Sequence, residues 1–111
     1  MRLDHVQLAA PPGCEPEARR FYGGLLGLEE VAKPGPLAGR GGVWFALGDQ
    51  GLHIGVEDPF VPARKAHPAF RVDDLDGLAE RLGDVTWDDA LPGVRRFYAE
   101  DPFGNRLEFL D

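Results

Sequence analysis

Cysteine is nearly absent: Cys14 is the one thiol in 111 residues. A single thiol forms neither an internal disulfide nor a cysteine-rich zinc site, and the expected setting is a reduced cytoplasm. Positive charge is also scarce, with 12 Lys and Arg against 19 Asp and Glu and a net charge of −7. Nucleic acid and anionic membrane surfaces both call for a basic patch, so neither is expected as a partner. No apolar run approaches the roughly 18 residues a bilayer span needs. The opening Met1-Arg2-Leu3-Asp4-His5 lacks the apolar stretch of a secretory signal. A small-molecule partner is the expectation that remains.

What is present is a globular composition, 43% hydrophobic and 28% charged, punctuated by 15 Gly and 10 Pro. That punctuation predicts short elements. Leu3 to Leu8 alternates as a strand, and Ala9 to Cys14 reads as a loop. Apolar positions 18, 21, 22, 25 and 26 predict an amphipathic helix over Pro16–Leu26, ended by Gly27 and weakened by Gly23 and Gly24. Leu28–Val31, Val43–Leu47 and Gly51–Glu57 read as strands, and Lys33–Gly42 as a mobile loop. The same order then recurs. His67–Val72 is a strand, and Asp74 caps a helix with apolar positions 75, 78, 79 and 82. Val85–Trp87, Val94–Glu100 and Asn105–Leu110 are strands. The chain therefore reads as one α+β domain, 1–111, of two βαβββ modules forming a curved mixed sheet: module one 1–57, a linker 58–66, and module two 67–111.

The three histidines occupy related places in this order. His5 lies on the first strand of module one and His67 starts the first strand of module two, 62 residues apart. His53 lies on the last strand of module one, where module two has Glu108. In each strand apolar neighbours alternate with the candidate ligand, so the ligands share the face away from the helices. A lone strand histidine is more often a surface residue, but here four donors fall at two pairs of repeat-equivalent positions. His5, His53, His67 and Glu108 are thus candidate ligands of a divalent ion, with Zn, Ni, Fe, Mn and Co all compatible with imidazole and carboxylate. Trp44, Arg71, Arg96 and Tyr98 are weaker candidates to line a substrate pocket, against the plainer reading of surface strand residues. Cys14 in its Pro/Gly loop reads as inert, and Asp88 and Asp89 as a solvated turn.

Several runs resemble the glyoxalase/bleomycin-resistance/extradiol dioxygenase superfamily, the vicinal oxygen chelate fold. They are Leu3-Asp4-His5-Val6-Gln7-Leu8, Phe21-Tyr22-Gly23-Gly24-Leu25-Leu26-Gly27-Leu28, Trp44-Phe45-Ala46-Leu47-Gly48-Asp49, Leu52-His53-Ile54-Gly55-Val56-Glu57, His67-Pro68-Ala69-Phe70-Arg71-Val72 and Asp101-Pro102-Phe103-Gly104-Asn105-Arg106-Leu107-Glu108-Phe109. The resemblance implies paired βαβββ modules around a divalent metal held by His5, His53, His67 and Glu108. Glyoxalase I-like members usually carry Glu at the position of His53, as ligand and proton shuttle, and this sequence departs there. His53 and Glu108 are the candidate catalytic residues. The set His5, His67 and Glu108 is similar to that of extradiol dioxygenases and fosfomycin thiol-transferases. Bleomycin-binding members use the fold as a metal-free cleft.

Three functions stay open on this reading. The first is a metal-dependent lyase, isomerase or transferase acting on a small oxygen-chelating substrate. The second is an Fe(II)-dependent extradiol-type dioxygenase, and the third a non-catalytic drug-binding resistance protein. Modules of roughly 50 residues are too small to bury a sheet alone. The resemblance implies a homodimer whose sites lie at the subunit interface, His5 and His53 of one chain facing His67 and Glu108 of the other.

Overall fold

Alternating apolar and polar side chains become two four-stranded mixed sheets, each with a buried apolar face. The computed structural model describes residues 1–111, which divide into two compact units, Met1–Pro62 and Ala63–Asp111. In the first unit the strands are β1 (His5–Ala10), β2 (Glu30–Val31), β3 (Val43–Leu47) and β4 (Gln50–Val56), in the order β1-β4-β3-β2. β1 runs parallel to β4, and the other pairings are antiparallel. The second unit repeats the arrangement with β5 (Ala69–Arg71), β6 (Thr86–Asp88), β7 (Arg96–Glu100) and β8 (Arg106–Leu110), ordered β5-β8-β7-β6 with β5 parallel to β8. The α+β class and the two βαβββ modules are as the sequence implies.

Leu8, Ala10, Val43, Phe45, Leu52 and Ile54 are buried in the first unit, together with Ala18, Phe21 and Tyr22 of its helix. Tyr22 and Phe45 bring their rings to 5.9 Å. In the second unit Phe97 and Phe109 meet at 5.3 Å and Phe70 and Phe109 at 5.5 Å, beside buried Leu75, Leu78 and Leu107. Each such side chain contributes roughly 1.5–3 kcal/mol on burial. Helix α2 (Leu75–Leu82) begins at Asp74, whose Oδ1 accepts from the Gly77 N–H at 3.0 Å. It ends at Gly83 with φ +79°. No helix is long and apolar enough to cross a membrane.

Four expectations need correction. The first helix is not α throughout: α1 (Glu15–Ala18) runs into a π-helical segment, Arg19–Leu25, with Leu26 N–H bonded to the Phe21 carbonyl at 2.9 Å. The wider π turn rotates Leu25 off the buried face and leaves it 38% exposed. The predicted mobile loop contains a 3-10 helix, Gly35–Arg40. Strand β1 reaches Ala10, whereas β5 starts only at Ala69, so His67 precedes its strand rather than lying on it. Pro68 explains that start, because it has no N–H to give the ladder, though its carbonyl accepts from Glu108 N–H at 3.1 Å. Asp88 is likewise no turn residue: it sits on β6 with Oδ1 3.3 Å from Arg96 Nη2.

Candidate metal centre

In the first unit, the parallel register of β1 on β4 sets His5 opposite Gly51 and Gln7 opposite His53. The two histidines are therefore diagonal neighbours on one face, their rings stacked at 4.4 Å and 20°. Gly51 makes this possible, since a Cβ there would lie 3.0 Å from His53 Nε2 and 3.3 Å from His5 Cβ. Trp44, opposite His53 on β3, stacks on it at 3.8 Å and 1°. His53 is 9% exposed, and its pKa lies below the ordinary imidazole value. Burial disfavours its charged form and the neighbouring His5 adds to that, while Asp4 opposes. His5 Nδ1 is 2.8 Å from Asp4 Oδ2, and an Nδ1–H donated to that carboxylate would leave the Nε2 lone pair free for an ion.

The second unit places Glu108 opposite Ala69 on β5 and Tyr98 on β7. His67, two residues before Ala69, stands to Glu108 as His5 stands to His53. Its Nε2 is 2.9 Å from Glu108 Oε1, and its Nδ1 is 2.9 Å from the Lys65 carbonyl. Arg96 Nη1 donates to the other Glu108 oxygen at 3.3 Å. Burial pushes the Glu108 pKa up, but hydrogen bonds from His67 and Arg96 outweigh it and leave the carboxyl below its ordinary range. Tyr98 meets His67 edge-on at 5.4 Å, and the Arg106 guanidinium lies 4.0 Å from the Tyr98 ring centre.

The His67–Glu108 contact supplies a test of metal chemistry. The Lys65 carbonyl accepts only a proton, so Nδ1 carries N–H, and Nε2 either donates a second proton to Glu108 or presents a lone pair. A lone pair there faces a carboxylate oxygen at 2.9 Å. Two lone pairs so close repel unless positive charge lies between them, either a proton or a metal ion. The donor set fits a divalent ion: imidazole nitrogen and carboxylate oxygen, each oriented by a second contact.

Each unit thus assembles one pair, His5 with His53 and His67 with Glu108. No group of three or more His, Cys, Asp or Glu side chains able to hold a metal forms within the chain. Of the weaker candidates, Trp44, Arg96 and Tyr98 touch a candidate ligand. Arg71 instead donates to the Asp111 carbonyl and is exposed. Sequence reasoning missed the supports: Asp4, Gly51, the Lys65 carbonyl, Asp88 and Arg106. The pairing register alone reveals Gly51 and Arg106. Cys14 is buried, and its thiol is pushed up to about 11, by burial first and by Glu15 next, which keeps it protonated.

No protein-family model and no curated protein matches the sequence. Among solved structures, a glyoxalase family protein from Bacillus anthracis is 54% identical, with a TM-score of 0.95 over 99% of this chain and 93% of its own. The chain belongs to the glyoxalase family. More distant members of the vicinal oxygen chelate fold share the architecture of this glyoxalase-family chain. A lactoylglutathione lyase from Agrobacterium tumefaciens is 24% identical, with a TM-score of 0.74 over 98% of this chain and 92% of its own. The fosfomycin resistance protein FosX from Listeria monocytogenes is 18% identical, with a TM-score of 0.74 over 99% and 90%. At those identities the likeness is one of fold.

Proposed function

We propose that the chain is a metal-dependent enzyme of the glyoxalase family, a lyase, isomerase or transferase acting on a small substrate with neighbouring oxygens. One observation carries the reading: His67 Nε2 lies 2.9 Å from Glu108 Oε1 while its Nδ1 faces the Lys65 carbonyl, so an imidazole nitrogen and a carboxylate oxygen converge on one point. His5, His67 and Glu108 would hold the ion, and His53 would complete the site or, when off the metal, act as the base. A bound divalent ion supplies a Lewis acid for the chelated oxygens. His53, kept neutral by burial, is available to accept a proton, as a base near its working pH must be. Trp44 holds that ring flat and in place.

The measurement is metal content after purification without added metal. About one divalent ion per chain is expected in the wild type, and loss of that ion in His67→Ala. A fully loaded His67→Ala variant overturns the ligand assignment.

A second reading, a binding protein needing no metal, draws support from Arg96, whose grip on Glu108 already gives that carboxylate a cation. It predicts small-ligand binding that survives a chelator. Activity restored by a divalent ion after chelation rules it out.

A further inference from the structure

The same face of the first sheet carries a recess of about 320 Å³ that the candidate ligands do not fill. Its walls include Gln7, Lys33, Arg40, Trp44 and Gly55. We propose that this recess is a subsite for an oxyanion, a carboxylate or phosphonate carried by the substrate at the end away from its chelating oxygens. The proposal rests on the reading above for what the substrate does, but not for the binding of the anion itself.

Three features make the recess a built one. First, the β2–β3 connection is folded down rather than loose. Its 3-10 turn is closed by Leu37 N–H on the Pro34 carbonyl at 2.9 Å, and Lys33 Nζ donates to the Gly41 carbonyl. Gly42, at φ +85°, lies so close to β4 that a Cβ would come 2.2 Å from the Ile54 carbonyl oxygen. No other residue allows that approach. Second, Gly55 leaves space that the Gln7 carboxamide occupies, since a Cβ at Gly55 would stand 2.5 Å from Gln7 Nε2. An amide donor is thereby held in the recess. Third, neither cation is neutralised. Lys33 bonds to a carbonyl and Arg40 to nothing in the chain, in a protein with seven more acidic than basic side chains. The carboxylate of Glu15, next to this loop, is turned to the Gly42 N–H at 3.2 Å and the Cys14 thiol at 3.2 Å.

A larger recess of about 590 Å³ in the second unit, between Trp87 and Arg96, differs on this point. Its two arginines are already paired, Arg95 with Asp76 and Asp111, and Arg96 with Asp88 and Glu108. Paired cations add little for an incoming anion, whereas Lys33 and Arg40 offer charge-assisted hydrogen bonds. Trp44 joins the first recess to the candidate centre, lining the one and stacking on His53 of the other.

The test uses the full chain carrying Trp87→Phe, which leaves Trp44 as the sole tryptophan, with EDTA present throughout. Benzoate and phenylphosphonate are the probes, and benzyl alcohol the neutral control. Calorimetry reads affinity and Trp44 emission reads location. At least one anion is expected to bind and to change Trp44 emission, with affinity falling as salt is raised. Arg40→Gln should weaken it about tenfold, the worth of one hydrogen bond to a charged group. Gly55→Ala, which displaces the Gln7 amide, should weaken it as well. Binding of one anion but not the other tells carboxylate from phosphonate within the proposal. No binding of either anion, equal binding of benzyl alcohol, or unchanged affinity in both Arg40→Gln and Lys33→Gln overturns it. Since metal is absent from this assay, a chain that binds the anion but never takes up metal refutes the enzymatic reading and leaves the subsite standing.

Discussion

His53 shows how one side chain's surroundings fix its chemistry. Flanked by Trp44 and His5 in a central strand, its ring is neutral to a lower pH than a free imidazole is. The unfolded ring, at its ordinary value of 6.5, takes up a proton first as pH falls. Protonation of the unfolded state therefore draws stability from the fold. The loss begins as pH drops through the ordinary value and is complete below the folded one. Chelated wild-type protein should lose stability in urea as pH falls through and below the ordinary imidazole value of 6.5, and His53→Gln should lose less. Parallel pH profiles for the two would mean that His53 is not desolvated. The pairing of the candidate ligands was legible because residue type and repeat position suffice to mark His5 with His53 and His67 with Glu108, and the structure brings each pair together. What holds them was not, because Gly51 matters only through a contact that the register creates, and the Lys65 carbonyl only through the local path of the chain before β5.

At the scale of elements, capping was easier to read than helix type. Asp74 announces α2, and its Oδ1 does accept an N–H of the first turn. Asp74→Ala should lower stability by about 1 kcal/mol, seen as an earlier midpoint in urea with an unchanged slope. Asp74→Ser should restore most of it, and an Asp74→Ala midpoint equal to wild type would show that the cap contributes nothing. The first helix gave no such marker. Its apolar spacing fits 3.6 residues per turn, but Gly23 and Gly24 do little to enforce that period, and the chain widens into a π-helix instead. Leu25 leaves the core as a result. The β2–β3 connection misled for a related reason. Gly and Pro signal breaks between elements, yet Gly42 here permits the close backbone approach that pins the segment to β4. A glycine needed for contact and a glycine left over in a loop look alike in sequence.

For the whole molecule, the proposed metal site requires that two pairs of candidate ligands come together. Each unit holds two donors, and nowhere in the chain do three converge. Two donors hold a divalent ion weakly, so the prediction is that a second chain supplies the rest: His5 and His53 of one chain with His67 and Glu108 of another, twice in a two-fold dimer. Light scattering at micromolar concentration should return a dimer, and a monomer ends the idea. A mixing experiment goes further. His5→Ala spoils the first unit and His67→Ala the second, so each variant alone should bind no metal. After the two are unfolded and refolded together, half the dimers are mixed. Each mixed dimer has one site with every ligand intact and one with two ligands missing. About a quarter of the wild-type metal should return if sites are shared between chains in this way. If the refolded mixture is dimeric but stays as empty as its components, while wild-type protein refolded alongside takes up its metal, the ligands of each site must come from a single chain.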